Sequence, residues 1–218
     1  MGRYIIPHMH KKQPPHPEET RWNNRYRDGD TPWDTGFPST ELQRSLAEAK
    51  LTPCRALELG CGTGTNTVWL AQQGFDCTGI DLAPRAIAQA QQRAQAAGVS
   101  VCFVRADLAA LPDLGERYEF FLDRGCYHAV RRIDVQPYLT ALECWLAPRA
   151  QGLVIAGKPM PQGPQGPPVV TEEELRRELG TLFEIVRLRT FWLDSVPGSS
   201  SSSSDTWEAW SCWVRRIV

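Results

Sequence analysis

The segment Arg55–Asp81, RALELGCGTGTNTVWLAQQGFDCTGID, breaks into pieces of different physical character. Arg55–Leu59 is a short apolar run suited to a buried strand. Gly60, Gly62 and Gly64 follow, with only small residues between them. Thr65–Gln73 carries helical spacing through Val68, Leu70 and Ala71, and Gly74 stops it. Asp76–Ile80 is a second strand, with Asp81 at its carboxyl end. A strand-to-helix turn this tight needs positive φ, which glycine adopts without steric cost. Bare backbone also lets a ligand lie directly on the loop. An acid closing the second strand, about 20 residues on, can accept both hydroxyls of a ribose. Ligands of open parallel sheets bind beside the carboxyl ends of the strands. The unit therefore predicts an adenosine-containing cofactor. The plain alternative is a glycine-rich loop that binds nothing.

The details select among cofactors. A dinucleotide fingerprint reads G-x-G-x-x-G and leaves the loop open to a pyrophosphate. Here the order is E-L-G-C-G-T-G, with Glu58 just before the first glycine. That pattern resembles motif I of the class I S-adenosylmethionine-dependent methyltransferases. The resemblance implies that Glu58, Gly60, Cys61, Gly62, Gly64, Asp81 and its neighbour Leu82 contact S-adenosylmethionine. That ligand has no phosphate, and an acid near the loop suits its ammonium. Binding of NAD is the rival reading.

A chain of 218 residues, 42% apolar and 22% charged, suits one globular domain with a full core. A net charge of −1 gives no footprint for nucleic acid. The 7 cysteines contain no C-x-x-C pair and read as reduced residues of a cytoplasmic protein. No apolar run approaches a membrane span, and MGRYIIPHMHKK lacks the apolar core of a signal peptide. Residues 1–20 read as a flexible leader. His8, His10 and His16 lack acids or cysteines to complete a metal site, so no metal is expected. A monomer or weak homodimer acting on a small molecule, with neither nucleic acid nor membrane as partner, is the expected state.

Residues 21–218 are read as a single domain, with residues 21–50 forming an N-terminal lid and helix. Arg21–Leu42 is polar and turn-rich but carries Trp22, Tyr26 and Trp33. These aromatics either cap a sheet edge or cover a cation, which an aromatic face attracts. The pattern W-x-x-R-Y-x-x-G-x-x-P-W-D-x-G resembles the N-terminal segment of the thiopurine, thiol and halide methyltransferase group. By that resemblance Trp22, Tyr26 and Trp33 are cofactor or acceptor contacts, and Pro32-Trp33-Asp34 and Gly36 match most closely. A helix spans Ser39–Lys50 with Ser39 or Thr40 as cap. Another covers Arg85–Ala97, opened by Pro84 and ended by Gly98.

Val99–Ala106 is the third strand and leads to Asp107 and Leu108. The class I resemblance places the adenine there; a turn or cap aspartate is the alternative. Tyr118–Asp123 is the fourth strand and runs into Asp123-Arg124-Gly125, which resembles the thiopurine group and tellurite-resistance-like methyltransferases. Arg124 is the candidate for steering an anionic acceptor or holding the cofactor carboxylate, or it pairs with Asp123. Asp123 is a further catalytic and cofactor-contact candidate. His128 is either a general base or a packed histidine. Cys126 is not expected to act as a nucleophile.

Asp134–Leu146 reads as a helix and Gln151–Ala156 as the fifth strand. Residues 157–170 form a Pro/Gly-rich loop, which covers an acceptor pocket or merely connects. Thr171–Glu174 is a capping box. Glu184–Leu193 and Thr206–Val214 alternate as strands around a serine-rich hairpin tip at 197–205. Trp192, Trp207, Trp210 and Trp213 read as sheet packing. The whole is expected to be a Rossmann-like three-layer α/β/α sandwich. Its seven-stranded sheet is mostly parallel with an antiparallel C-terminal strand.

The expected reaction passes a methyl from S-adenosylmethionine to a small soft nucleophile, a thiol or hydrosulfide first. A thiol is partly ionised at neutral pH, so no strong base is required. Alternatives are a halide or a selenium, tellurium or arsenic species, or an oxygen or nitrogen acceptor with His128 as base. A non-catalytic cofactor-binding scaffold is the reading from another class.

Overall fold

The computed structural model describes residues 16–115, 117–160, 168–194 and 207–218. The serine-rich tip, half of the Pro/Gly-rich loop and residues 1–15 with His8 and His10 lie outside them.

Seven strands form one sheet. They are β1 (Arg55–Leu59), β2 (Asp76–Asp81), β3 (Cys102–Arg105), β4 (Tyr118–Arg124), β5 (Leu146–Gly157), β6 (Phe183–Trp192) and β7 (Glu208–Arg216). Their order across the sheet is β3-β2-β1-β4-β5-β7-β6. Strands β1 to β5 are parallel, and β7 inserts antiparallel to both β5 and β6. This is the expected mostly parallel seven-stranded sheet.

The helices are α1 (Pro17–Asp28), α2 (Thr40–Ala49), α3 (Thr65–Gln72), α4 (Pro84–Ala97), α5 (Cys126–Val130), α6 (Gln136–Trp145) and α7 (Glu172–Leu179). Strand alternation divides their packing. On β1, Leu57 and Leu59 join one core and Ala56 joins the other; on β4, Phe121 faces opposite to Phe120 and Leu122. The first core takes up Tyr127, Tyr138, Leu142 and Leu175 from α5, α6 and α7. The second takes up Leu42 and Leu46 from α2 and Leu70 from α3. A strand covered on both faces reads as a nearly unbroken apolar run, as β4 does.

Two differences from the sequence reading concern the ends of elements. The helix α1 begins at Pro17, inside the segment read as a leader, and occupies the first part of what was read as turns. Pro17 stands at its first turn, His16 Nδ1 accepts from Glu18 N at 3.3 Å, and Gly29 closes it. Few apolar residues give this helix a core-facing stripe, so periodicity does not reveal it. The short α5 also escaped the sequence reading. It is fixed by Asp123, whose carboxylate accepts from the backbone N–H groups of Gly125, Cys126 and Tyr127 at 3.0, 3.0 and 2.8 Å.

Strand order reverses between β1 and β4. Chain leaving β1 passes through α3 to β2 on one side, and β4 lies on the other. The carboxyl ends of β1 and β4 thus open into a shared crevice, where open α/β sheets place their ligands.

Candidate active site

The glycine loop forms one wall of that crevice. Gly60 has φ +62°, and a Cβ there would lie 2.8 Å from Cys126 Cβ. The loop therefore packs bare against the start of α5. Gly62 N donates to Asp81 Oδ2 at 2.9 Å, and Ala83 N donates to Oδ1 at 2.8 Å. Two fixed donors leave the Asp81 carboxylate oriented, with further lone pairs for ligand hydroxyls.

A strap from Asp30 to Ser39 closes the loop's outer side. Asp34 accepts from Thr63 Oγ1 at 2.6 Å and Thr65 Oγ1 at 3.3 Å. Ser39 N donates to Asn66 Oδ1 at 3.0 Å. Thr40 donates through Oγ1 and N to Asp194 at 2.6 and 3.1 Å, so a residue beyond β6 caps α2. The backbone carbonyl of Trp33 accepts from Arg124 Nη1 at 2.8 Å.

The three lid aromatics lie together. The Trp33 ring meets Trp22 and Tyr26 edge-on, with centroids 5.6 and 6.0 Å away. Trp33 Nε1 donates to Tyr26 Oη at 3.3 Å, and that oxygen stands 2.9 Å from where a Gly62 Cβ would be. Arg25 lies over the Trp33 ring, 4.2 Å from its centroid. Asn23 Oδ1 accepts from Arg85 N at 3.1 Å, which ties α1 to the start of α4.

These walls border a cavity of about 960 Å³, at the upper end of the range of small-molecule and cofactor sites. Asp81, Leu82, Asp107 and Leu108 line one end. Pro168, Leu193, Asp194 and Trp207 also border it, and Trp22, Tyr26, Trp33, Gly60, Arg124 and His128 lie on its wall. A smaller hollow of about 40 Å³ is bounded by Glu58, Cys61, Gly62, Asp34, Asn66 and Arg124.

Four sequence expectations change. Asp123 is fully buried and spends its oxygens on α5, so it neither lines the cavity nor pairs with Arg124. Glu58 accepts from Asn66 Nδ2 at 3.0 Å and from Thr67 Oγ1. It binds β1 to α3 rather than standing free near the loop, and burial pushes its carboxyl up to about 7. Asp107 does two things at once: its Oδ1 accepts from Ala109 N at 2.9 Å, and it borders the cavity. Trp210 and Trp213 are core residues, whereas Trp207 lines the cavity and Trp192 is largely exposed.

His128 Nδ1 accepts from Gly157 N at 2.8 Å. A backbone N–H can only donate, so Nδ1 carries a lone pair and the proton sits on Nε2. Burial, and then the neighbouring Arg124 cation, lower the His128 pKa to about 4. Among the described residues Arg124 Nε is buried without a partner, which leaves a donor at the wall of both hollows. Cys126 is pushed far above the ordinary thiol range by burial and nearby acids, which agrees with an inert side chain.

The arrangement fits S-adenosylmethionine. Asp81 offers oriented acceptors for ribose hydroxyls, the glycine loop offers bare backbone, and the strap surrounds the hollow beside Arg124. A β1-loop-α3-β2 site on this sheet order defines a class I S-adenosylmethionine-dependent methyltransferase, with S-adenosylmethionine as cofactor. Residues 17–215 match the model of the thiopurine S-methyltransferase family, and the chain belongs to it.

Two relatives and two solved structures show how near its similarities run. The chain is 28% identical over 148 residues to 2-heptyl-1-hydroxyquinolin-4(1H)-one methyltransferase of Mycobacteroides abscessus, covering 66% of this chain and 65% of the relative. It is 31% identical over 72 residues to probable thiol methyltransferase 2 of Arabidopsis thaliana, covering 33% and 32%. Both matches thus span less than two thirds of the relatives' own lengths. A structure described by the conversion of a disulfide bond into a thioacetal group during echinomycin biosynthesis superposes with TM-score 0.77 at 25% identity, covering 91% of each chain. The Burkholderia thailandensis 1,6-didemethyltoxoflavin-N1-methyltransferase, with 1,6-didemethyltoxoflavin and S-adenosylhomocysteine bound, has TM-score 0.67 at 21% identity, covering 94% and 91%.

The sequence reading did not single out Asp194, Thr63 or Thr65, and it took Trp207 for sheet packing. The paired threonines of the loop were visible as polar residues where a helix begins. Asp194 meets Thr40 across 154 positions and carried no local signal.

Proposed function

We propose that this enzyme methylates a small soft nucleophile, a thiol or hydrosulfide foremost, that attacks as an anion already formed in solution. The observation carrying this reading is the His128–Gly157 hydrogen bond. Nε2 already carries the proton, so to accept one from the cavity His128 would first need that nitrogen bare and its own hydrogen on Nδ1. Its Nδ1–H would then face the Gly157 N–H, beside the Arg124 cation. The cleft is therefore poor at removing protons and suited to nucleophiles that ionise unaided. Arg124, with an unused buried donor, favours the anion by proximity.

Bound S-adenosylmethionine supplies a methyl already activated on a sulfonium. Asp81 would hold the ribose end, while Asp107 and Leu108 would border the adenine. The strap and Trp33 exclude water from the reacting end, where positioning and desolvation contribute most of the rate. Relatives support the reading, since one is named a probable thiol methyltransferase. A second reading, an acidic hydroxyl on a flat heterocycle, is favoured by the cavity of about 960 Å³ and by the hydroxyquinolone methyltransferase of M. abscessus.

The test is formation of S-adenosylhomocysteine against hydrosulfide, alkyl and aryl thiols, a thiopurine, iodide, an acidic N-hydroxy heterocycle, an ordinary phenol and an amine. Selective turnover of thiols is the expected result. Turnover confined to the N-hydroxy heterocycle would select the second reading. Turnover confined to the phenol or amine would overturn both, because such acceptors must lose a proton to a base.

A further inference from the structure

The imidazole of His128 remains after the methyl-transfer chemistry has been accounted for. It is a half-buried side chain on the cavity wall, committed at one nitrogen and open at the other. Nδ1 is committed to Gly157 N at 2.8 Å. No described residue accepts from Nε2. That nitrogen stands 3.2 Å from the position a Gly125 Cβ would occupy, so the glycine after Arg124 keeps the space beside it clear. Gly125 has φ +101°, a backbone state that disfavours any side chain there.

We infer that His128 is a positioning residue: its Nε2–H is a donor of fixed tautomer that reads a lone pair on the acceptor molecule, beside the atom that is methylated. The inference rests on the soft-anion reading above and narrows it. Arg124 ends β4 and His128 lies on α5, and both line the same cavity. Arg124 supplies charge and its own unused Nε–H. His128 supplies a single directed donor that cannot reverse, because reversal would set its Nδ1–H against the Gly157 N–H. The acceptor class this pair fits is a flat heteroaromatic anion bearing its nucleophilic atom next to a second atom with a free lone pair. A simple alkyl or aryl thiolate offers the charge and leaves the donor unsatisfied. A buried donor left without a partner is costly, which is how such sites discriminate.

Two isomeric probes separate these terms: 2-mercaptopyridine N-oxide and 4-mercaptopyridine N-oxide. Both are anions of one composition at neutral pH. Only the first places an oxygen lone pair beside the sulfur. Binding to the protein–S-adenosylhomocysteine complex, measured by calorimetry, needs no turnover. The expected result is a preference of about tenfold for the 2-isomer. His128→Ala should remove the preference while leaving affinity for the 4-isomer within about twofold. His128→Gln, whose carbonyl can accept from Gly157 N while its amide N–H faces the cavity, should keep part of it. Equal binding of the two isomers by the wild-type protein would overturn the inference, as would an unchanged preference in His128→Ala. A second readout is the ring itself. Nitrogen-15 spectra of His128 should show the Nε2–H tautomer from pH 9 down to about 5, and an imidazolium forming above pH 6 would overturn it. The turnover panel judges the soft-anion reading separately, so the two failures are distinguishable.

Discussion

Asp81 has two oxygens, each already holding one backbone N–H, and its remaining lone pairs point to the cavity. Replacing it with alanine removes the ribose acceptors and frees Gly62 N, so cofactor affinity should fall about 10- to 100-fold. Calorimetry showing affinity within threefold of wild type would place the ribose elsewhere. Glu58 and His128 act oppositely on stability. The Glu58 carboxyl sits near 7 in the folded chain, above its ordinary value, so the stability tied to its protonated form is full at low pH and is lost as pH rises to about 7. The His128 ring sits near 4, below its ordinary value, so its contribution is full at neutral pH and is lost as pH falls toward 4. Glu58→Gln should flatten the loss between pH 5 and 7 in melting curves, and His128→Gln should flatten the acid side. Identical pH profiles for both variants and the wild type would contradict the assigned shifts.

At the scale of elements, the strap is held to the site by a few polar contacts. Asp34 bridges Thr63 and Thr65, and Gly36 N donates back to Asp34 at 3.2 Å. Asp34→Ala should raise the cofactor Kd by about tenfold and speed hydrogen exchange of strap amides. Faster exchange with unchanged affinity would mean that the strap is no part of the cofactor site. The helix α1 is joined to the body by Asn23 on Arg85 N and by Glu19, which pairs with Arg105 at 2.5 Å. A chain starting at residue 17 should keep its activity. One starting at residue 30 should lose it, because Trp22 and Tyr26 then leave the cavity wall.

Across the whole molecule, one buried charge cluster joins the first part of the chain to the last. Glu41 on α2 is 3% exposed and accepts from Ser45, Ser211 and Arg189, the last at 2.6 Å. Arg189 also pairs with Glu48 at 2.7 Å, and Arg187 pairs with it at 2.8 Å. Removing one partner of a buried pair leaves an uncompensated charge and costs about 3–5 kcal/mol. Arg189→Met should therefore lower Tm by about 10 °C, and a shift below about 2 °C would show that Glu41 is satisfied by the serines alone. Because α2 follows the strap directly, loosening this cluster should also weaken cofactor binding.

Much of the cofactor half of the site was legible because its signals are local. Gly60, Gly62 and Gly64 answer to backbone geometry within a few residues, and Asp81 ends a strand that periodicity alone locates. Short apolar runs at β1 and β4 and alternation along β6 and β7 likewise gave the sheet. The polar half was not legible, because its partners are distant in sequence. Asp123 looked like a cleft acid until the donors of α5 took both its oxygens. Trp207 looked like sheet packing until the edge of β7 met the cavity. Local sequence thus determined the class I scaffold, the glycine loop and the cofactor type, since φ preference and apolar period act over one or two turns. Tertiary structure alone decided which groups remain available for chemistry. The Gly157 N–H, reaching across from β5, fixes the His128 proton on Nε2.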